Sequence, residues 1–311
     1  MAQQFLRIPR RQPLGRRVWR ARWFYILMLP GLAYFLIYRY LPMFGIVMAF
    51  QDYNPSSGFA GSPWVGLMHF KQFFGYGSLK MLFSNTLILS LQSLVFSFPA
   101  PVLMALLLNE VRHNGYKRTT QTLMYLPHFL STVVVCSIAY QLFSMDSGML
   151  NRLLVRLGLP KVNVLMNESA YRPLFVGLTV WQSTGWGTII YLAALSNVDP
   201  QMYEAAMLEG AGRWKQIWYI TLPSILPILM VTLVLRMGEL LDVGLEKSLL
   251  LSNAMNRSVS EVFDTYVYQR GVVGGKYSLS TAVGLFKSLV GLILVLTSNW
   301  LSKKVTDETI Y

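Results

Sequence analysis

The segment EAAMLEGAGRWKQIWYITLP, residues 204–223, decides the fold because it separates two long apolar runs and resembles neither. It carries two glutamates, an arginine and a lysine, and Gly210 and Gly212 interrupt any helix within it. Pro223 then opens the next apolar run, where its missing N–H costs little. We therefore expect a short helix over 202–208, an elbow at the glycines, and a long apolar helix that begins near Leu222.

The rest of the sequence has the composition of a membrane protein. Of 311 residues, 54% are hydrophobic and 13% are charged, whereas a soluble domain carries about 25% charged residues. Stretches long enough to cross about 30 Å of hydrocarbon occur at 23–45, 83–108, 121–144, 172–196, 222–243 and 279–301. The predicted fold is an all-α membrane protein with six transmembrane helices.

Lysine and arginine are unevenly distributed between the connecting segments. They are concentrated in the leader 1–22, the loop 109–120 and the tail 302–311, which six spans place on one side. Because cytoplasmic loops are enriched in these residues, we expect both termini and the segment 197–221 to be cytoplasmic. The net charge of +13 then reflects topology and attraction to anionic membrane lipid rather than nucleic-acid binding.

This orientation divides the chain into regions and places the longer loops outside the cell. The predicted regions are a cytoplasmic leader at 1–22, a first transmembrane helix with its outer loop at 23–82, a core of five transmembrane helices at 83–301 that contains the cytoplasmic segment 199–223, and a cytoplasmic tail at 302–311. The predicted outer loops are 46–82, 145–171 and 244–278.

The short helix of the opening segment has two explanations. Ala205 and Ala206 give it a shallow surface, which suits a groove in a soluble partner. An amphipathic connector that rests on lipid headgroups would have the same pattern. The residues alone leave both explanations open.

The spacing of seven residues in this segment resembles the EAA signature of permease subunits of ATP-driven, binding-protein-dependent ABC importers. These residues are Glu204, Ala205, Ala206, Gly210, Ile220, Leu222 and Pro223. Beyond them, MAFQDYNP (48–55), LLLNEVRHNGYKRTTQTLMYLPHFLS (106–131) and TAVGLFKSLVGLILVL (281–296) resemble the LplB-type permeases of oligosaccharide and polysaccharide uptake. The resemblance implies a type I importer permease of MetI-like fold in the bacterial cell membrane, with a cytoplasmic coupling helix.

The resemblance also implies partners. The chain would be one of two homologous permease subunits that together form the translocation pathway. The seven residues would couple it to a cytoplasmic ATPase dimer, and that dimer would bind ATP and Mg²⁺. An extracellular solute-binding lipoprotein would deliver an oligosaccharide to the outer loops.

The sequence predicts no enzyme activity, cofactor or metal site in the chain itself. The nearest phosphate-loop lookalike, RGVVGGKYS at 270–278, has Arg270 where the first glycine is needed and Tyr277 where Ser or Thr would bind Mg²⁺. The three histidines are scattered, and the single cysteine, Cys136, lies inside an apolar run. ATP hydrolysis must therefore come from a partner.

Polar and aromatic residues in the predicted fourth span are candidates for a solute pathway. They are Trp181, Gln182, Trp186 and Tyr191. Aromatic faces and an amide are suited to sugar recognition. Helix packing explains the same residues, because small residues beside them let spans approach closely.

Charged residues inside spans are further pathway candidates, because they are costly there. Arg236 and Glu239 in the fifth span and Lys287 in the sixth are expected at similar depth. Glu239 could pair with Arg236 or with Lys287, which would leave one positive charge in excess. Such a group is either a buried structural pair or a site that favours uronate-bearing oligosaccharides.

Three functions remain open from the sequence. The first is a permease of an ATP-driven carbohydrate importer. The second is a permease of an ABC importer for another solute, since the EAA signature indicates an ATPase partner and does not identify the transported solute. The third is a secondary transporter or a membrane assembly factor that works without an ATPase, although the two halves of the sequence lack the self-similarity that secondary transporters often show.

Overall fold

A computed structural model describes Gly15 and residues 19–75 and 77–306. Most of the predicted leader and the end of the predicted tail lie outside these residues. Within the described part the protein is helical, apart from an isolated bridge that pairs Gln51 with Trp64. The all-α prediction is therefore confirmed for the described residues.

Nine helices organise the described chain, and we number them in chain order. They are α1 (Arg22–Phe50), α2 (Ser78–Glu110), α3 (Asn114–Phe129), α4 (Thr132–Phe143), α5 (Glu168–Leu195), α6 (Pro200–Leu208), α7 (Arg213–Gly238), α8 (Leu245–Leu251) and α9 (Tyr277–Thr306). Shorter helical segments occupy the connections, at Gly58–Gly61, Met68–Gly75, Met149–Arg156, Arg257–Ser260, Phe263–Val267 and Tyr268–Val273.

Four described helices are long and apolar enough to cross a membrane. They are α1, α2, α7 and the part of α9 from Tyr277 to Thr297. The pair α3 and α4 becomes a fifth if it is counted as one span, although the two helices meet at an angle of 101°. Helix α5 has 28 residues, and its middle carries the polar run Gln182-Ser183-Thr184. By length and composition, the structure thus supports a multi-pass membrane protein.

The span predicted over 121–144 is not one continuous helix, because it is broken between α3 and α4. Pro127 lies in a 3₁₀ turn at the end of α3, and Leu130 leaves helical conformation. The Ser131 hydroxyl then accepts a hydrogen bond from the N–H of Val134 at 3.3 Å and caps α4. A serine cap with extended backbone starts a new helix rather than continuing the old one, so the chain changes direction here.

Helix α7 also differs from the predicted span over 222–243, because it begins at Arg213 and ends at Gly238. It passes through Pro223 without a break because Ile217–Thr221 form a π-helical turn, in which the N–H of Leu222 bonds the carbonyl of Ile217. Such wider turns absorb local disruptions of the helical hydrogen-bond pattern. After Gly238 the chain turns, and Gly244 adopts a φ of +99°, before α8 begins.

Helix α5 lies at the centre of the packing. Near its start, Tyr171 and Phe175 form a buried cluster with residues of α2, α4 and α8. Near its end, Tyr191 and Leu195 pack against α2 and α7. In between, a Cβ atom at Gly185 would lie 1.9 Å from the carbonyl oxygen of Met124 in α3. This glycine therefore allows α3 and α5 to touch at the level of their backbones.

The predicted outer loop 244–278 is not wholly outside the helical bundle. Helix α8 lies against α4, where the Tyr140 hydroxyl donates to the carbonyl of Leu250 at 3.1 Å. Lys247 reaches Thr179, which lies eleven residues beyond Glu168, about 16 Å along α5. Farther on, the Glu261 carboxylate accepts a hydrogen bond from Arg257 at 2.8 Å and raises the pKa of that guanidinium.

Candidate coupling surface and solute cavity

The segment 199–223 forms the short helix and the glycine elbow expected from the sequence. The Asp199 carboxylate caps α6 by accepting from the N–H of Gln201 at 2.9 Å. At the other end Gly210 has a φ of +73°, while its N–H bonds the carbonyl of Met207 and the N–H of Ala211 bonds that of Ala206. This paired pattern is the Schellman motif, which favours glycine at the left-handed position. The elbow therefore depends on Gly210.

Side-chain contacts fix the elbow to the membrane helices. The hydroxyls of Tyr203 in α6 and Thr221 in α7 are 3.0 Å apart. Gln216 donates to the carbonyl of Ala211 at 2.9 Å, within the elbow. Arg213 lies 3.6 Å from the carboxylate of Glu110, at the end of α2. Because the pair formed by Arg213 and Glu110 is exposed, it contributes little, and the buried Thr221 is the stronger anchor.

The opposite face of α6 is exposed, and we call its residues Glu204, Ala205, Met207 and Leu208 the α6 surface. The side chain of Leu208 is 90% exposed. Glu204 has no ion-pair or hydrogen-bond partner among the residues that the structure describes. Ala206, by contrast, is half-buried. The α6 surface therefore offers apolar contacts and one free carboxylate.

The seven signature residues fall into two groups in the structure. Glu204, Ala205, Ala206 and Gly210 belong to α6 and its elbow, whereas Ile220, Leu222 and Pro223 lie at the π turn and the first residues after it. The bond between Tyr203 and Thr221 joins the two groups. The signature thus describes one joint between an exposed helix and a membrane helix.

Three of the four pathway candidates in α5 make the contacts expected from helix packing. Gln182 donates to the carbonyl of Leu130 at 3.1 Å, at the break between α3 and α4. The ring of Trp186 is stacked on His128, with centroids 4.6 Å apart. The hydroxyl of Tyr191, a residue only 5% exposed, lies 2.9 Å from that of Thr232 in α7. Trp181 differs because it lines an open apolar groove between α2 and α5.

A polar cavity lies where α7 ends, between α2, α5 and the turn after α7. It has a volume of about 120 Å³. Its lining residues are Ser90, Ser93, Leu94, Ser97, Thr179, Arg236, Glu239, Leu240, Asp242 and Val243. We call it the serine cavity. The hydroxyls of Ser90 and Ser93 are buried and have no hydrogen-bond partner among the described residues. The structure thus brings together Arg236 and Glu239, two of the predicted charged candidates.

Lys287 does not pair with Glu239, and the predicted excess of positive charge is wrong. Its ammonium group donates to Asp242 and to Asp264, each at 2.5 Å. Within the described chain, Glu239 forms no ion pair with Arg236 either. The reason is that α7 ends at Gly238, so the following turn presents Asp242 to α9. Although two carboxylates meet here, no described group of three or more His, Cys, Asp or Glu side chains is placed to hold a metal ion.

Sequence reasoning missed Lys247, because it assigned this residue to an outer loop. Its ammonium group donates to the hydroxyl of Thr179 at 3.1 Å and lies 5.6 Å from the centre of the Phe175 ring. Thr179 also lines the serine cavity. The only local signal was the apolar run after Gly244, LEKSLLL, which marks a helix but not its position.

Comparison with known proteins places this arrangement among transport proteins. The family described as "Binding-protein-dependent transport system inner membrane component" matches residues 97–307. The chain is 49% identical over 302 residues to the polygalacturonan/rhamnogalacturonan transport system permease protein YteP of Bacillus subtilis, which covers 97% of this chain and 94% of YteP. It is 48% identical over 292 residues to protein LplB of the same organism, with 94% and 92% covered.

Solved structures give a consistent result. A chain in the crystal structure of a bacterial ABC transporter involved in the import of the acidic polysaccharide alginate is 38% identical, with a TM-score of 0.87. The match covers 94% of this chain and 99% of that one. A chain of the bacterial alginate ABC transporter, in complex with an alginate pentasaccharide-bound periplasmic protein, is 37% identical, with a TM-score of 0.88. That match covers 96% of this chain and 99% of the other.

Proposed function

The chain belongs to the family of inner membrane components of binding-protein-dependent transport systems, and we propose that it carries uronate-rich oligosaccharides in an ATP-driven importer. It is a permease subunit and not an enzyme. The similarity to YteP over 97% of the chain carries the proposal, because that relative is named for polygalacturonan and rhamnogalacturonan. The similarity to a transporter of the acidic polysaccharide alginate supports the same class of cargo.

The proposed machine contains partners on both sides of the membrane. A second homologous permease would complete the pathway, a cytoplasmic ATPase dimer would bind ATP and Mg²⁺, and an extracellular solute-binding lipoprotein would deliver the sugar. The partnership with a binding protein is supported by the family description and by the alginate transporter solved with its periplasmic protein. The many exposed apolar side chains of α1 are consistent with contacts to lipid or to a second permease.

We further propose that the chain crosses the bacterial cell membrane six times, with both termini in the cytoplasm. In this arrangement α5 is a span despite its polar middle, and α3 and α4 together form another. The contacts of Gln182 with Leu130 and of Thr188 with the carbonyl of Pro101 support this, because they satisfy polar side chains of α5 within the bundle. The distribution of lysine and arginine supports the orientation.

The α6 surface would dock on the ATPase, and the joint at Tyr203 would pass its movement to α7. Apolar side chains that project from a short helix suit a groove in a soluble partner. Because Tyr203 is bonded to the first part of α7, a displacement of α6 would act on that helix directly. The far end of α7 carries Arg236, which lines the serine cavity. The geometry therefore offers a physical connection between the ATPase side and the solute side.

Two of the earlier alternatives can be weighed against the family. Membership in a binding-protein-dependent transport family leaves a secondary transporter without support. A permease for another solute remains compatible with the family. The cargo therefore needs a direct test.

Uptake by the reconstituted complex tests the proposal. The chain would be co-expressed with its partner permease, ATPase and binding protein, and placed in liposomes loaded with ATP. We expect ATP-dependent accumulation of labelled trigalacturonate and little accumulation of maltotriose, a neutral sugar of equal length. Accumulation of maltotriose alone would contradict the proposed cargo while leaving the permease assignment intact.

A further inference from the structure

Lys247 holds a positive charge that no carboxylate of the described chain neutralises. Its ammonium group has Thr179 as hydrogen-bond acceptor and the Phe175 ring nearby, and no Asp or Glu oxygen of the described residues lies within 4.0 Å. Phe175 is 1% exposed and belongs to a buried apolar cluster. A lysine in such surroundings is costly without a counter-charge.

The comparison with Lys287 shows that this fold can supply carboxylates to a lysine. Lys287 is bonded to Asp242 and Asp264 at once. Lys247 has an acidic neighbour in sequence, Glu246, but that residue is exposed and forms no ion pair with it. Lys247 therefore lacks a carboxylate partner among the described residues because of its own position, and not because carboxylates are absent from this part of the protein.

The surroundings of Lys247 contain groups that suit a sugar acid. Thr179 accepts its hydrogen bond and also lines the serine cavity, together with Ser90, Ser93 and Ser97. Ser90 is 5% exposed, and its hydroxyl has no partner within the described part of the chain. Buried hydroxyls without partners are uncommon and costly, and hydroxyl groups of a saccharide can satisfy them.

The other charged groups at the cavity decide where a carboxylate could lie. Arg236 is positive and Glu239 is negative, and neither is neutralised by an ion pair among described residues. Asp242 shares Lys287 with Asp264, so one negative charge remains among these three groups. A carboxylate would be repelled near Glu239 and Asp242. The side of the cavity at Thr179 is more favourable, because Lys247, although not a lining residue itself, is bonded to the hydroxyl of Thr179.

We propose that Lys247 is a specificity-determining residue that binds the carboxylate of a uronate unit as the oligosaccharide passes the serine cavity. Thr179, which lines the cavity, fixes the ammonium group next to it by accepting its hydrogen bond, and the serine hydroxyls bind the hydroxyls of the same sugar. The proposal rests on the proposed function, since it names the group that would recognise the acidic cargo.

The test compares charged and uncharged forms of one sugar in the reconstituted complex. The probes are trigalacturonate and its fully methyl-esterified form, and the variants are Lys247→Met, Lys247→Arg and the exposed outer control Lys161→Met. Loss of a charged hydrogen bond predicts that Lys247→Met lowers the initial uptake of trigalacturonate about tenfold or more. We expect the initial uptake of trigalacturonate by Lys247→Arg to stay within about threefold of that of the unaltered complex. Uptake by Lys161→Met should equal that of the unaltered complex.

Uptake of the methyl ester should be unchanged in all three variants, with equal amounts of assembled complex and equal basal ATP hydrolysis. Equal losses for acid and ester, or a loss that arginine does not reduce, would assign Lys247 a structural role and overturn the inference. Normal uptake of the acid by Lys247→Met would overturn it as well. If the unaltered complex imports neither probe, the proposed cargo fails first, which is a separate result.

Discussion

The hydroxyl of Tyr203 lies 3.0 Å from the hydroxyl of Thr221, so the exposed helix α6 is bonded to the beginning of the membrane helix α7. Thr221 is 3% exposed and lies in the π turn, whereas the neighbours of Tyr203 along α6 face outward. The bond therefore joins the exposed α6 surface to a helix whose far end lines the serine cavity.

Removal of this bond should weaken coupling without releasing the ATPase. Tyr203→Phe and Thr221→Val each remove one hydroxyl, and a hydrogen bond of this kind contributes about 1 kcal/mol. We expect each variant to retain the ATPase but to show less transport per ATP hydrolysed. The double variant should be no worse than either single one, because the same interaction is lost. Additive losses would show that the two hydroxyls act independently.

Gly210→Val should uncouple ATP hydrolysis from transport while the ATPase stays bound. The backbone at Gly210 has a φ of +73°, which costs a residue with a side chain about 1–2 kcal/mol. No atom lies within 4 Å of the Cβ position, so strain rather than collision is the cause.

Gly212→Val is the matched control for that variant, because Gly212 has a φ of −69° and equal open space. The measurement is cargo-stimulated ATP hydrolysis together with uptake in the same liposomes. Equal behaviour of the two glycine variants would argue against a role for the left-handed turn.

Ala205→Trp should release the ATPase from the purified complex. Ala205 is exposed on the α6 surface, and added bulk in a close-packed contact costs about 1–3 kcal/mol. Ala206 is a less selective site, since it is half-buried and a tryptophan there would also disturb α6 itself. Met149→Trp, on the proposed outer side, controls for the cost of an added exposed tryptophan. Full co-purification of the ATPase with Ala205→Trp would favour a lipid-facing connector.

Thiol labelling of whole cells tests the orientation. On a Cys136→Ala background, cysteines at Ser57 and Met255 should react with an impermeant reagent, and those at Asn114 and Gln201 should not. All four positions are exposed in the structure. Asn256, next to Met255, is unsuitable because it is fully buried and donates to the carbonyls of Leu165 and Leu251. Labelling at Asn114 from outside would disprove the six-span topology.

Lys287→Met should lower the stability of the protein rather than its choice of cargo. The change leaves Asp264, which is largely buried, without its cation, at a cost of about 1–3 kcal/mol. We expect less folded protein in the membrane and a lower melting temperature in detergent. Adding Asp264→Asn should restore part of both, since the unpaired charge is then removed. A selective loss of acidic cargo at normal protein level would instead assign Lys287 to the pathway.

Local features of the site were predictable from the sequence. The elbow follows from the order of Asp199, Pro200 and Gly210, because a cap, a first-turn proline and a left-handed glycine each act within a few residues. The place of the long apolar helices follows from composition in the same way. The predicted ends of these helices were less accurate, because the end of α7 at Gly238 and the π turn within it depend on tertiary packing.

The contacts of charged residues could not be predicted, because they depend on tertiary structure. Lys287 meets Asp264 across 23 positions of sequence, and Lys247 meets Thr179 across 68. The sequence placed Lys247 in an outer loop, and nothing in its own neighbourhood indicates that α8 turns back against α5. The break at Leu130 was missed for a similar reason, since the run around it is apolar enough for a continuous span.

The length of α7 makes it a mechanical lever. It has 26 residues from Arg213 to Gly238, and the distance from the π turn to Arg236 is about 25 Å at 1.5 Å per residue. A tilt of about 5° at that turn would therefore move Arg236 by about 2 Å, which is comparable to the distance between the hydrogen and the acceptor of a hydrogen bond. If the proposed orientation and cargo are correct, a small rotation at the π turn is thus enough to make or break a contact between Arg236 and a sugar at the opposite end of α7.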